Sequence, residues 1–437
     1  MFNLLAIKPS TVICNLLLLA FFLTTHVLAI AEEGHSAGPH KQHKQQHKKK
    51  MHQGGGHHGG HGAIAKGIEK FPTSAYTENK SAREIQRPEM PNMQGDPVKG
   101  KQLAASSKGR CLACHILDDD GKQAGDVGPN LSSYAKYGRS REYTFQQVWD
   151  ARAHNPNTLM PPFGSYELLT RHQVMHIVAY LETLNKQLAP PARPQLELKN
   201  YYVAGEDMTL ADDYLDEGEA LFNKPGKNGK SCASCHTTGA NAGKATGLKG
   251  IAASYPKYDS ELDKVILIET RNNHCRKKYM NSHPYKLGSR DSNTLSSYVK
   301  YLARNEPISI AKDAATQKAL LKGKNSFYQK TGQLNFSCAD CHASAAGKWL
   351  RGQSLSSIKL AGDHSYTAAT WPRHFIALHD LGLISMQQRI RHCQIVTRTY
   401  PLKPGSPEYT NLELFITSLA EGKPMQAPTK SKLRGAD

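Results

Sequence analysis

Arg110-Cys111-Leu-Ala-Cys114-His115, Ser231-Cys232-Ala-Ser-Cys235-His236 and Ser337-Cys338-Ala-Asp-Cys341-His342 are three copies of one pattern, Cys-x-x-Cys-His, and they decide the fold. Two thiols at this spacing reach the two vinyl groups of one porphyrin, and the His that follows places a nitrogen on the iron from the same face. A single copy is also compatible with a thiol redox pair. Three copies at roughly domain-sized intervals predict three covalently bound haem c groups, attached at Cys111/Cys114, Cys232/Cys235 and Cys338/Cys341, with His115, His236 and His342 as axial ligands.

The chain has nine cysteines; the motifs take six and Cys14 lies in an N-terminal apolar run, which leaves Cys275 and Cys393. They follow Cys235 and Cys341 by 40 and 52 residues, and each has Arg four positions earlier (Arg271, Arg389) and His immediately before it (His274, His392). A repeated setting in two haem segments is what a second axial ligand on each iron would show. One disulfide joining the two is the plainer alternative, and His274 and His392 are rival ligands. The first segment instead offers Asn155-Pro-Asn-Thr-Leu-Met160-Pro-Pro-Phe-Gly164, 45 residues from His115 to Met160, a proline-braced loop able to hold a thioether against iron. Met160 as a plastic packing residue is its bland counterpart.

Residues 1–31 carry one cation, Lys8, then an apolar run, then small residues at Ala29 and Ala31, the pattern of a secretory signal peptide. An uncleaved anchor is disfavoured because Asn15, Thr24, Thr25 and His26 interrupt a stretch already short for a span of about 20 residues. The mature chain is therefore expected in the periplasm with no stable membrane span. The net charge of +19 would otherwise invite a nucleic-acid partner, which export removes; small anions or acidic proteins remain.

Residues 32–92 form a polar arm and linker in which His35 to His61 supply 8 His, 6 Gly and 5 Lys without apolar periodicity. Such a segment is expected to be disordered, and it either captures copper, nickel or zinc through neutral imidazoles or is simply a solvated tail. A first haem domain spans 93–188, a proline-rich linker 189–205, and two further haem domains span 206–306 and 307–437. Gly218-Glu-Ala-Leu-Phe222 leads to Cys232 as Gly323-Lys-Asn-Ser-Phe327 leads to Cys338. Apolar positions recur at helical spacing in Leu169–Leu184, Leu295–Leu302 and Leu412–Leu419, and few segments alternate like strands, so the expected fold class is all-α: three cytochrome c-like domains in tandem.

Taken together these residues resemble the SoxAX cytochromes of bacterial sulfur oxidation. Gly95 to Leu184 is similar to the single-haem SoxX subunit, while 206–423 resembles diheme SoxA, notably at Leu334-Asn-Phe-Ser-Cys338, Gly347-Lys-Trp-Leu-Arg-Gly352 and the Arg389/Cys393 segment. The family usually keeps the two subunits as separate chains, whereas here they stand fused through the linker, and the His-rich arm lies outside the family pattern. The resemblance implies Cys275 and Cys393 as iron ligands, Cys393 as the reactive one, and Arg389 as its neighbouring cation, or else as the partner of a haem propionate. It implies that thiosulfate is coupled to a cysteine of the carrier protein SoxYZ with two electrons passed to a small soluble cytochrome c; because thiolate ligation favours ferric iron and thioether ligation raises the potential, the Met160 haem is the expected exit for them. Two other functions stay open: a thiosulfate dehydrogenase forming tetrathionate, and a non-catalytic multihaem electron carrier.

Overall fold

The computed structural model of the chain describes residues 84–118, 124–192, 210–236, 248, 250–355, 375–377 and 382–425. The expected signal peptide, the His-rich segment and most of the proline-rich linker lie outside the described residues. In the first segment stand α1 (Pro97–Ala105), α2 (Arg141–Trp149) and α3 (Arg171–Leu181). The second contains α4 (Leu210–Asn223), the single turn α5 (Cys232–Cys235), a hairpin of β1 (Lys257–Asp259) and β2 (Lys264–Ile266), α6 (Ile268–Met280) and α7 (Arg290–Tyr301). The third has α8 (Ala314–Tyr328), hairpins β3 (Trp349–Leu350) with β4 (Gln353–Ser354) and β5 (Phe375–Ala377) with β6 (Gly382–Ile384), then α9 (Met386–Val396) and α10 (Pro407–Ser418).

Short polar residues start the helices. The Asp96 carboxylate accepts from the amides of Val98 at 2.9 Å and Lys99 at 3.1 Å, and Pro97 follows with its φ already helical. Thr170 and Ser385 form reciprocal boxes with Gln173 and Gln388 at the starts of α3 and α9. Ser289 and Ser406 cap α7 and α10, which therefore begin several residues ahead of the apolar stretches that predict them. The strand pairs are two or three residues long, too short to give an alternating pattern in sequence.

One helix crossing occurs three times, and a glycine sets each. A Cβ on Gly100 of α1 would lie 2.0 Å from the His176 carbonyl oxygen and 2.7 Å from Tyr180 Cβ of α3. On Gly218 of α4 it would lie 2.6 Å from Tyr298 Cβ and 2.8 Å from the Thr294 carbonyl oxygen of α7. On Gly323 of α8 it would lie 1.9 Å from the Asn411 carbonyl oxygen and 2.9 Å from Phe415 Cβ of α10. Each glycine thus drops its helix onto a residue pair spaced four apart on the partner. Phe222 and Phe327, four residues after the second and third glycines, meet Tyr298 and Phe415 with ring centroids 5.4 and 5.3 Å apart.

The segments do not keep separate cores. Leu215, Phe222 and Leu295 share one buried cluster with Phe327, Met386 and Tyr409, so the second and third segments fold over common apolar ground. The first segment's core, built on Phe145, Val174 and Val178, also takes in Leu334 of the third. Between the halves of the larger core, α7 buries Lys300 completely, with Glu269 of α6 and Glu413 of α10 also inside. Burial raises both carboxyls and lowers the ammonium, while their opposite charges pull against it. Among the described residues no helix is long and apolar enough to cross a membrane.

Candidate haem and thiolate sites

Each Cys-x-x-Cys-His motif closes one tight turn. The amides of Cys114 and His115 donate to the Cys111 carbonyl at 3.1 and 2.9 Å, and the His236 amide donates to that of Cys232 at 2.8 Å. In the third copy, a π turn over Asp340–Ser344, the Ser337 amide donates to the Asp340 carboxylate at 2.9 Å and the Asp340 amide to the Ser337 hydroxyl at 3.1 Å. Such turns bring two sulfurs and an imidazole to one side of the chain. Burial pushes the Cys111 and Cys338 thiols up to about 12 and that of Cys232 to about 11, the signature of apolar surroundings. A covalently attached porphyrin, whose vinyl carbons need apolar contact and no charge, fits these residues.

His115 is prepared as a ligand. Its Nδ1 lies 2.8 Å from the Pro129 carbonyl, which accepts the proton and leaves Nε2 with its lone pair. Burial lowers its pKa and keeps the ring neutral. Gly128 makes this possible, because a Cβ there would stand 2.2 Å from His115 Cε1. Met160 packs on the same core cluster as Cys111; its amide is fixed by Thr158 Oγ1 at 3.0 Å, and Gln147 Nε2 donates weakly to its sulfur at 3.8 Å.

No disulfide joins Cys275 to Cys393. Cys275 lies on α6 within electrostatic reach of Cys232 and Cys235, and Met280 of the same helix brings its sulfur to 4.0 Å from Cys232 Sγ. His274 turns elsewhere: its Nε2 is 2.9 Å from Glu261 Oε2. The Cys275 thiol is raised by burial, lowered by Arg271 and raised again by Asp259. Cys393 on α9 acts on both Cys338 and Cys341, and its carbonyl accepts from the Thr397 amide at 2.9 Å and hydroxyl at 3.0 Å. The Arg-to-Cys spacing of four puts Arg389 on the same helix face. Each of the two spare cysteines therefore meets the attachment motif of its own segment.

Contacts between the first and third segments converge on the first motif. The Arg351 amide donates to the Ala113 carbonyl at 3.1 Å, and the Asp126 amide to that of Trp349 at 3.0 Å. The Trp349 amide returns a bond to the Asp126 carboxylate at 2.6 Å. Arg110 Nη1 reaches the Val396 carbonyl at 2.9 Å, and Arg398 Nη2 the Ser107 carbonyl at 3.0 Å. Cys341 lies close enough to Cys114 to feel it electrostatically, so the third motif stands near the first. Sequence reasoning missed Pro129, Arg110 and the carboxylates of the β1–β2 turn; only the Gly128-Pro129 dipeptide carries a local signal.

A cytochrome c family model matches residues 97–185, and a model of the SoxA/TsdA cytochrome c domain matches 217–308; such domains hold haem c covalently. The L-cysteine S-thiosulfotransferase subunit SoxA of Pseudaminobacter salicylatoxidans is 33% identical over 216 residues, 49% of this chain and 70% of that protein. The subunit of the same name from Rhodovulum sulfidophilum is 30% identical over 49% of this chain and 70% of its own length. The crystal structure of SoxXA from P. pantotrophus aligns at 26% identity over 51% of this chain and 79% of that chain, with a TM-score of 0.45. With a cytochrome c segment placed ahead of its SoxA-like portion, the chain belongs to the SoxA family of cytochromes.

Proposed function

We propose that this thiosulfate-linked cytochrome is an L-cysteine S-thiosulfotransferase that joins thiosulfate to a cysteine of the carrier SoxYZ in the periplasm. The reaction converts a carrier thiol and thiosulfate into a thiosulfonate, one proton and two electrons: one S–S bond forms and one S–H bond breaks. The observation that carries the reading is the shared face of α9, where Arg389 and Cys393 stand four residues apart against the third motif. Relatives of 30–33% identity bear that activity in their names.

Three haem c groups would be held by the three cysteine pairs, with His115/Met160, His236/Cys275 and His342/Cys393 as axial ligands, and would supply one-electron acceptors. The Arg389 guanidinium offsets repulsion between a dianion and an electron-rich sulfur. The Cys393 sulfur would form an S–S bond to the thiosulfate sulfur as two electrons leave to the haems, and would be released as thiolate when the carrier thiolate attacks the bound sulfur, as in thiol exchange. Thiolate ligation favours ferric iron and thioether ligation raises the potential, so electrons have a downhill exit toward the Met160 end and a small soluble cytochrome c. The contacts of Arg110 and Arg351 support that direction by holding the first and third segments together.

The test is a product assay with thiosulfate, SoxYZ and oxidised cytochrome c. Thiosulfonate on the carrier supports the proposal. Tetrathionate made without a carrier would replace it by a thiosulfate dehydrogenase, a reading favoured by the family model that SoxA and TsdA share over 217–308. The His-rich arm would add a copper, nickel or zinc site, and metal titration of a chain lacking residues 35–61 tests that separately.

A further inference from the structure

We infer that Tyr409 is a positioning residue for the reactive sulfur: its hydroxyl clamps Gln394, the residue after Cys393, to α10 and to the loop that joins α9 to α10. The inference rests on the reading above of Cys393 as a thiolate ligand that takes up the thiosulfate sulfur. Cys393 stands three residues before the last residue of α9, where carbonyls run out of intrahelical partners and a helix end frays. A sulfur that must meet both an iron and an incoming sulfur needs that end held.

The main chain is fixed by threonines. The Thr397 amide and hydroxyl both donate to the Cys393 carbonyl, and the Thr399 amide donates to the Gln394 carbonyl at 2.7 Å. These bonds shape the turn, while the Gln394 side chain is held separately, from α10. The Tyr409 hydroxyl donates to Gln394 Oε1 and accepts from the Leu402 amide at 3.0 Å. One phenol oxygen thus joins α10, the loop and the end of α9.

Tyr409 is itself immobile. It is 1% exposed and shares one core cluster with Met386 and Ile390 of α9, against which Cys338 of the third motif also packs. A buried phenol of this kind holds its place by packing and spends its hydroxyl on a partner. Burial raises the phenol well above its ordinary range, so the group remains a donor, and it lies within electrostatic reach of Cys393. At the other end of the loop the Gly405 amide donates to Gln387 Oε1 at 2.6 Å. The loop is therefore tied to α9 six residues before Cys393 and again one residue after it. Phe in place of Tyr409 would keep the ring in the core and release only the second tie.

The experiment compares Tyr409→Phe, Gln394→Leu and the double variant with the wild type, all as full-length holoprotein, by turnover with thiosulfate, SoxYZ and oxidised cytochrome c and by the ferric EPR spectrum. Tyr409→Phe should lower kcat by about tenfold with the thiosulfate KM unchanged, and should shift the thiolate component that Cys393→Ala deletes while the other stays in place. Gln394→Leu should do the same, and the double variant should lose no more than the worse single one, because the two residues act as one unit. A Tyr409→Phe protein that melts earlier but keeps the wild-type kcat and spectrum overturns the inference, since the hydroxyl then serves stability alone. Losses that multiply in the double variant overturn it too. Should Tyr409→Phe shed haem, Gln394→Leu decides by itself, and a wild-type kcat and spectrum there are equally fatal. If the wild type makes no thiosulfonate, the functional reading fails instead, and the EPR shift still reports whether Tyr409 positions the sulfur.

Discussion

Arg110 donates through Nη1 to the backbone carbonyl of Val396, 2.9 Å away, and through Nε to the Ser107 carbonyl at 2.8 Å. One side chain thus ties the residue before the first attachment cysteine to the last turn of the helix that bears Cys393. Arg110→Ala should lower the unfolding free energy by about 1 kcal/mol and slow electron arrival at the first segment in stopped-flow spectra. Arg110→Lys, without the planar fork, should restore little. Unchanged transfer in Arg110→Ala would remove this contact from the electron route.

Cys393→Ala with haem retained should abolish coupling of thiosulfate to the carrier and delete one thiolate component from the EPR spectrum, leaving the other in place. Turnover that survives the substitution would take this sulfur out of the mechanism.

Replacing Arg389 by Ala should raise the thiosulfate concentration for half-maximal rate by about tenfold, and flatten the dependence of that value on ionic strength. If kinetics stay the same while the haem potential moves, the guanidinium serves a propionate and not the substrate.

Gly323→Ala should destabilise the protein by about 3 kcal/mol, because the new methyl meets the Asn411 carbonyl at 1.9 Å and backbone on both helices must shift. Thermal unfolding of the holoprotein measures it. Ala at Gly347, where no atom lies within 4 Å of the added Cβ, controls for the residue change, although its positive φ adds a smaller strain.

Lys300→Met should cost about 3 kcal/mol, since it strands Glu269 and Glu413 in the interior without their counter-ion. The pH dependence has a defined sign. The folded pKa of Glu413 lies above its ordinary 4.5, so its contribution is complete below that value and lost as pH rises through the folded one. The lowered Lys300 acts oppositely, gaining stability as pH rises toward 10.5. Without Lys300 only the carboxylate slope remains, and melting temperature should fall more steeply from acid to neutral pH.

The helical cytochrome c character of the chain and its long helices were legible because covalent chemistry and helical periodicity each leave a fixed local spacing. Gly218 and Gly323 were visible as a repeat with Phe222 and Phe327. Gly100 was not, because Ala104 stands where the repeat has Phe. The acceptor of the His115 proton, the carboxylates on Arg271 and the interior group around Lys300 join residues from 10 to 144 positions apart, between Glu261 and Arg271 and between Glu269 and Glu413. No local pattern encodes such meetings. The sharing of one apolar cluster by the second and third segments was not legible for a related reason: apolar faces reveal that a helix is buried but not which neighbour covers it.

The junction between the first and third segments is made largely to main-chain oxygens, those of Ala113, Trp349, Val396, Ser107 and Tyr166. A junction of that kind is indifferent to many side-chain replacements on its accepting side but sensitive to the number of residues between its anchor points. Drift in this protein should therefore leave lengths in 107–113 and 347–351 nearly constant while identities vary, and adding or removing one residue there would disconnect the two segments more surely than most substitutions.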